Sequence, residues 1–172
     1  MLLGLQKCLT FCFFSRDEKH GPAESSSISI VDMLGHSTGI RAVELSSDDS
    51  LACTVSKNSI KIWNVAHRNC IQSVSHSIQN QSYYGLCATF LPGNSHLVVG
   101  TRDGHLLLLD IAAGEISLAK DGAHAEAIWS IDIRRPTERQ PTVSLVTGSA
   151  DKTVRFWEIE TADGQTPILT QT

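Results

Sequence analysis

Short runs of alternating apolar and polar residues cover most of this chain. Between residues 40 and 74 the apolar positions fall into four groups: Ile40, Val43 and Leu45; Leu51, Cys53 and Val55; Ile60 and Ile62; Ile71 and Val74. Alternation with a period of two is typical of β-strands that bury one face. Gly, Asp, Asn and Ser residues cluster between the groups, as tight turns require. Because no window of twelve or more residues carries a helical apolar stripe, we predict an all-β fold.

The same pattern recurs in three segments. The last aromatic residue of each copy, or its replacement, is Trp63, Leu109 or Trp157, at spacings of 46 and 48 residues. These three residues serve as anchors for the alignment of the repeats. Twelve positions before each anchor lies an aliphatic residue: Leu51, Leu97 or Leu145. Repeats of about this length, built from short strands, are typical of the four-stranded blades of β-propellers. We therefore predict a partial propeller in residues 28–172, with repeats at about 34–74, 84–118 and 123–160.

Three repeats are fewer than the four to eight blades that closed propellers usually contain. An arc of three blades leaves open sheet edges, which can pair with other chains. We therefore expect this chain to be a section of a larger protein, or to associate when it is isolated.

Residues 1–27 do not follow the repeat pattern. The segment MLLGLQKCLTFCFFS is apolar but too short to span a bilayer. It resembles a weak secretory signal, although no small-residue cleavage site follows it. Residues 16–27 have the composition of a flexible linker. We interpret 1–27 as an uncertain N-terminal segment and linker, and 28–33 as the outer strand of a blade whose other strands are absent.

The composition is that of a globular protein, with 41% hydrophobic and 19% charged residues. A formal net charge of −4 disfavours broad electrostatic binding to nucleic acid. The five cysteines include no Cys-x-x-Cys pair, which favours reduced thiols and an intracellular protein. The seven histidines lack metal-ligand spacing, so we expect neither metal nor cofactor.

Dipeptides at the ends of the repeats point to a family. Two repeats begin with Gly35-His36 and Ala123-His124, and they end with Trp63-Asn64 and Trp157-Glu158. In these features the chain resembles the WD40-repeat family, whose namesake ending is Trp-Asp. The middle repeat keeps Asp110 of that ending and has Leu109 in place of the tryptophan.

This resemblance implies a structural hydrogen-bond network. In the family it joins a histidine at the repeat start, a Ser or Thr that closes the second strand, an Asp in the next turn, and the tryptophan. In the third repeat the four positions are His124, Ser149, Asp151 and Trp157. The other repeats are expected to hold partial networks: His36 and Trp63 in the first, and Thr101 and Asp103 in the second. A His, a Ser and an Asp together also suggest a hydrolase. However, no Gly-x-Ser-x-Gly turn is present, so we predict a structural role and no catalysis.

The family resemblance also implies partner contacts beside the innermost strands. By position these include Arg41 and Trp129. The alternation around Trp129 fits either a buried packing residue or an exposed contact residue of the kind that dominates interfaces. The expanded connection RRPTERQPTVS contains Arg134, Arg135 and Arg139, which fit either a solvated loop or phosphate contacts to RNA.

Four longer segments resemble a narrower group within the family: NSIKIWNV, GTRDGHLLLLDIAAGE, AHAEAIWSIDI and LVTGSADKTVRFWE. That group is the twin-propeller WD-repeat subunit of the small-subunit processome, in the UTP-B subcomplex. The resemblance implies a non-catalytic nucleolar scaffold that acts with the U-three snoRNA in small-subunit rRNA maturation. Its partners would be other protein subunits, with RNA contacted indirectly or through the arginine loop, and with no membrane or small-molecule substrate. The alternative is a cytoplasmic WD40 adaptor, either a ubiquitin-ligase receptor or a signalling scaffold.

Overall fold

A computed structural model describes residues 2–5, 8–16, 26–78, 81–134, 136, 142–160 and 167–172. Within these ranges the regular elements are all β-strands, which confirms the predicted fold class. They form three four-stranded antiparallel sheets, one three-stranded sheet and one short two-stranded ladder. Over the same ranges, no helix has the length and apolar character needed to cross a bilayer.

The N-terminal sheet consists of β1 (Leu2–Leu5), β2 (Cys8–Arg16) and β3 (Ser26–Leu34), paired in that order. The strand predicted at residues 28–33 lies within β3. It does not lack neighbours, because β3 pairs along its whole length with β2. The Thr and Phe residues of β2 favour extended backbone, which accounts for a second strand that the repeat pattern did not indicate.

The three repeats each form one four-stranded sheet, called a blade below. The first blade contains β4 (Ile40–Leu45), β5 (Leu51–Ser56), β6 (Ser59–Asn64) and β7 (Asn69–Ser75). A short ladder of β8 (Ser77–Ile78) and β9 (Gln81–Ser82) follows it. The second blade contains β10 (Gly85–Phe90), β11 (His96–Thr101), β12 (Leu106–Asp110) and β13 (Glu115–Lys120). The third contains β14 (Ile128–Arg134), β15 (Val143–Ser149), β16 (Val154–Glu160) and β17 (Ile168–Gln171).

Strand register shows which positions of the three blades are equivalent. The anchor residues pair across the second and third strands as Trp63 with Ala52, Leu109 with Leu97, and Trp157 with Leu145. The predicted equivalence of Leu51 with Leu97 is therefore wrong by one position. The reason is that the connection between β5 and β6 is one residue shorter than the corresponding connections in the other two blades.

Two apolar clusters join neighbouring blades. Ile60 and Ile62 of the first blade pack in one cluster with residues of the second. Leu106 and Leu108 of the second blade pack in the other cluster with residues of the third. All four side chains are fully buried. The same two positions of successive third strands therefore fasten each blade to the next, as face-to-face sheet packing requires.

In the third blade these two positions are open to solvent. The register makes Val154 equivalent to Leu106, and Phe156 equivalent to Leu108. Val154 is 62% exposed and Phe156 is 57% exposed. This exposed apolar face follows from the packing order, because no described residues lie on that side of the last sheet to cover it.

Candidate functional site

A buried hydrogen-bonded chain runs through the third blade. The Trp157 indole N–H donates to Thr147 Oγ1 at 3.0 Å. Thr147 Oγ1 lies 2.7 Å from His124 Nε2, and His124 Nδ1 lies 2.9 Å from Asp151 Oδ2. Because a carboxylate can only accept, Nδ1 carries the proton, and in the neutral ring Nε2 accepts from the threonine hydroxyl. The chain thus ties the turn that contains Asp151 to the interior of the sheet.

The hydroxyl in this chain is that of Thr147, and the prediction of Ser149 for that position requires correction. Thr147 lies two residues from Leu145, the cross-strand partner of Trp157, so the two side chains share a face of the sheet. Ser149 is two residues farther along β15, too far from the indole. Its hydroxyl instead donates to the Glu126 carbonyl oxygen at 3.2 Å.

Asp151 organises its own turn as well as the histidine. Its Oδ1 accepts from the backbone N–H of Thr153 at 2.9 Å and from the Thr153 hydroxyl at 2.6 Å. Its Oδ2 also accepts from the Ala125 backbone N–H at 3.1 Å. The Thr153 hydroxyl and then His124 hold the pKa of this carboxyl well below its usual value. The carboxylate therefore remains charged at every pH at which the protein is expected to function.

The first blade holds a more extensive network than the sequence indicated. His36 Nε2 lies 2.6 Å from Thr54 Oγ1, which accepts the Trp63 indole N–H at 2.8 Å. On the other side of the ring, His36 Nδ1 lies 3.0 Å from the hydroxyls of both Ser56 and Ser59. Two serine hydroxyls therefore take the place of the carboxylate. Burial, with Lys61 and His76 as smaller causes, lowers the pKa of His36 to about 4.

The second blade replaces this network with apolar packing. Val99 and Leu109 occupy the threonine and tryptophan positions, and both are fully buried. Replacing both partners of a buried hydrogen bond by apolar groups need not reduce stability. The predicted residues have other roles: Thr101 Oγ1 accepts from the His105 backbone N–H at 2.9 Å, and Asp103 is exposed.

Steric access argues against catalysis by the His124 network. The Thr147 side chain is fully buried, and its hydroxyl already accepts from an indole. A substrate could not reach such a hydroxyl, so the hydrolase geometry lacks its exposed nucleophile. Within the described residues, no group of three His, Cys, Asp or Glu side chains is arranged to hold a metal ion.

The innermost strand of every blade contains a β-bulge at the same position. The register skips one residue between Ile40 and Ala42, between Gly85 and Cys87, and between Ile128 and Ser130. The bulged residues are therefore Arg41, Leu86 and Trp129. A bulge leaves one residue unpaired and redirects its side chain, which explains why alternation could not predict the orientation of Trp129.

These three bulged residues line a common pocket. The pocket has a volume of about 360 Å³, and Tyr84, Arg102 and Glu126 also line it. Trp129 is 62% exposed, so it is a surface aromatic residue and not a packing residue of the core. Arg41 and Trp129 are predictable from their position in the repeat. Tyr84 and Arg102, which lie just before β10 and just after β11, are not, because neither belongs to a repeat motif.

The predicted arginine loop is only partly described. Arg134 ends β14, and its Nη2 donates to Ser144 Oγ at 2.9 Å. Arg135 and Arg139 lie outside the described residues. Arg134 is five residues from Trp129, so it lies at the opposite end of the strand, about 17 Å away.

Comparisons with known proteins agree with this architecture. The family model "WD domain, G-beta repeat" matches residues 27–64 and 117–158. The solved structure titled "Structure of U3-55K" matches with a TM-score of 0.61 and 23% identity, over 74% of this chain and 40% of that chain. The "Crystal structure of RRP9 WD40 repeats" matches equally well, with a TM-score of 0.61 and 23% identity, over 72% of this chain and 36% of that chain. At this identity the two structures support the fold alone.

Curated relatives are more similar in sequence. U3 small nucleolar RNA-associated protein 12 of Saccharomyces cerevisiae is 35% identical over 152 residues, which is 87% of this chain and 15% of that protein. WD repeat-containing protein 3 of Homo sapiens is 37% identical over 139 residues, which is 81% of this chain and 13% of that protein. This chain therefore spans about one seventh of the length of these relatives.

Proposed function

Because this chain belongs to the WD40-repeat family, we propose that it is part of a non-catalytic scaffold for the maturation of small-subunit rRNA. The scaffold would act within the small-subunit processome and would hold other protein subunits together. We propose a nucleolar location for it, and we assign RNA contact a secondary role.

One observation carries this proposal. The similarity to U3 small nucleolar RNA-associated protein 12 extends over 87% of the chain at 35% identity. A match of that extent includes whole blades and not only the short motifs that all WD40 repeats share. The relatives are much longer, so the activity of a complete protein is carried over to this chain only as a proposal.

The geometry suits a rigid assembly platform. Buried networks tie the turns of the first and third blades to their sheets, and apolar clusters lock neighbouring blades together. Surfaces that are already ordered lose little conformational entropy when a partner binds. The same rigidity, together with the burial of the Thr147 hydroxyl in the His124 network, supports scaffolding over catalysis.

We propose that protein contacts supply most of the binding energy. The formal net charge of −4 disfavours a broad electrostatic contact with the RNA backbone. Arg134, together with Arg135 and Arg139, remains the local candidate for phosphate contact. Substitution of these arginines is expected to weaken RNA association without dispersing the protein subunits.

Depletion of the protein in its own cells tests the proposal. We expect mature small-subunit rRNA to fall, its unprocessed precursor to accumulate, and a tagged copy of the protein to be nucleolar. Re-expression of the wild-type protein should restore processing, which controls for indirect effects of depletion. Normal rRNA processing together with a diffuse cytoplasmic location would contradict the proposal and would favour a cytoplasmic adaptor.

A further inference from the structure

The cavity beside Trp129, called the Trp129 pocket below, combines apolar, aromatic and charged walls. Its lining includes Arg41, Tyr84, Leu86, Arg102, Glu126 and Trp129. It has an exposed indole, two arginines on one tyrosine ring, and walls that come from all three blades. We propose that it binds an acidic peptide segment that carries one large apolar side chain next to two carboxylates. This inference deepens the proposed scaffold function by naming the chemistry of a partner.

Three equivalent bulges build the pocket. Each blade contributes its bulged residue to the same cavity: Arg41, Leu86 and Trp129. One bulge could simply relieve strain in a strand, but bulges are also used to aim a side chain at a site. Here they point a cation, an aliphatic group and an indole toward one space, so the blades jointly form one binding surface.

Tyr84 holds the two arginines in place. The guanidinium carbon of Arg41 lies 5.8 Å from the centre of its ring, and that of Arg102 lies 5.9 Å from it. The Arg102 backbone N–H also donates to the Tyr84 carbonyl oxygen at 2.8 Å. Cation–π contacts use the face of a guanidinium and leave its N–H edge available for hydrogen bonds. Among the described residues, neither guanidinium forms an ion pair or a side-chain hydrogen bond.

Two unpaired cations call for two anions at a matching distance. Because both lie within 6 Å of the same ring centre, the guanidinium carbons are at most about 12 Å apart. In an extended peptide, alternate side chains point the same way and are about 7 Å apart. Carboxylates two residues apart on an extended segment can therefore reach both arginines and form charge-assisted hydrogen bonds.

The remaining walls accept an apolar group. Trp129 is 62% exposed, and Leu86 lies beside it in the same cavity. An exposed tryptophan next to arginines has the composition of an interface hot spot. A phenylalanine or leucine of the partner placed against the indole would remove this apolar surface from water.

The charge distribution favours a peptide over single-stranded RNA. Both arginines contact Tyr84, so that ring has little free surface on which to stack a base. Glu126 adds a negative charge to the lining, which would repel a continuous phosphate chain. Short peptides with only two carboxylates can avoid that charge, whereas an RNA backbone carries one at every nucleotide.

Trp129 provides a built-in reporter for a binding experiment. The other two tryptophans, Trp63 and Trp157, are 2% and 1% exposed, so quenching by acrylamide reports mainly on Trp129. The probe is the synthetic peptide GSFSDSDGS, in which the Phe and the two Asp side chains alternate with Ser and so point the same way in an extended segment. Its controls are the amide analogue GSFSNSNGS and a ten-residue oligouridine. We expect the acidic peptide to protect the indole from quenching, and the amide analogue to bind at least about tenfold more weakly.

Substitutions then locate the binding site. Arg41→Gln and Arg102→Gln should each weaken binding of the acidic peptide about tenfold, because each removes one charge-assisted contact. Tyr84→Leu should weaken it as well, because both arginines lose their support. Arg134→Gln is the matched control, since it removes an exposed arginine at the far end of β14, and it should leave the affinity unchanged. Far-ultraviolet circular dichroism checks that each variant is folded.

Three results would overturn the inference: no protection of Trp129 by the acidic peptide, equal binding of the amide analogue, or tighter binding of oligouridine that depends on Arg41 and Arg102. The last result would assign the pocket to nucleic acid. This measurement uses the purified chain and does not involve rRNA processing. A negative binding result would therefore not contradict the proposed scaffold role. Likewise, normal rRNA processing after depletion would not contradict peptide binding by the pocket.

Discussion

Thr147 and Trp157 are joined across the third blade by a hydrogen bond of 3.0 Å from the indole nitrogen to the hydroxyl oxygen. Thr54 and Trp63 make the equivalent bond in the first blade, at 2.8 Å. In both blades the same hydroxyl also contacts a buried histidine. The threonine is therefore the central member of the network, since it alone contacts both ring systems.

Removing that hydroxyl should destabilise the chain. In Thr147→Val the shape is kept, but the Trp157 indole N–H and His124 Nε2 both lose their partner inside the sheet. We expect the free energy of unfolding to fall by about 1–3 kcal/mol, measured by urea denaturation. Ser149→Ala is the matched control, because its hydroxyl lies nearer the surface, where it donates to the Glu126 carbonyl oxygen and accepts from the Asp151 backbone N–H, and it should cost clearly less. An equal loss in the two variants would contradict the central role of Thr147.

The carboxylate that orients His124 should also contribute to stability. Asp151→Ala removes the carboxylate acceptor of His124 Nδ1, leaving only the Thr153 hydroxyl 3.2 Å away, and it also removes three further hydrogen bonds to the carboxylate. Asp103→Ala is the control, because Asp103 occupies the same turn position in the second blade but is exposed. We expect the thermal midpoint to fall more for Asp151→Ala. Equal midpoints in the two variants would show that the histidine does not need this carboxylate.

Acidification below pH 6.5 should weaken the fold through two buried histidines. Burial lowers the pKa of His36 and of His76 to about 4 from the ordinary 6.5. Between pH 6.5 and 4 the unfolded chain thus binds more protons than the folded one. The stability contributed by these two histidines is therefore complete above pH 6.5, falls through this window and levels off below it, with a loss of at most about 3 kcal/mol per histidine.

Substitution of one of these histidines should make that pH dependence shallower. His76 is the better choice, because its Nε2 is buried without a hydrogen-bond partner among the described residues. We expect His76→Leu to lower stability at pH 7.5 and to reduce the further loss between pH 6.5 and 4, as measured by urea unfolding at each pH. His67→Gln, at an exposed position, should keep the wild-type slope. If His76→Leu also keeps the wild-type change of stability with pH, His76 is not a source of the pH dependence.

The repeat architecture could be predicted from the sequence because it depends on alternation and spacing. The first three strands of each blade follow from the apolar period and the turn residues between them, whereas β17 lies beyond the repeat predicted at 123–160. In the third repeat the hydroxyl of the network was predicted at the wrong residue. Ser149 ends β15, whereas the network uses Thr147, two residues earlier. In the first blade His36 and Trp63 were predicted as part of a network, but the hydroxyls of Thr54, Ser56 and Ser59 were missed, because the connection after β5 is one residue shorter and shifts the alignment.

The pocket could be found only in part. Arg41 and Trp129 hold equivalent positions in their repeats, so both could be predicted as contact residues from position alone. The bulges that turn them toward the same space depend on strand register, which a single sequence does not show. Tyr84 and Arg102 are brought to the pocket by tertiary packing of the segments that flank β10 and β11, and no local pattern marks them.

Leu108 and Phe156 occupy equivalent places in successive blades but have opposite environments. Leu108 is fully buried against the third blade, whereas Phe156 is 57% exposed. Val154, two residues before Phe156 on β16, is also exposed, so these two side chains form an apolar patch on the outer side of the last sheet. Contiguous exposed apolar surface promotes association between proteins, so this face is expected to make the isolated chain self-associate.

A charge at Phe156 should therefore act on association and not on folding. In Phe156→Lys, a side chain that already faces solvent becomes charged, so the thermal midpoint should change little while the sedimentation coefficient shifts toward that of the monomer. Leu108→Lys is the matched control, because it places a charge inside the cluster between two blades and should prevent cooperative folding. The wild-type chain should show concentration-dependent sedimentation that the Phe156 variant lacks. A wild-type chain that sediments as a monomer at all concentrations would contradict this prediction, because an uncovered face of this kind would then be soluble on its own.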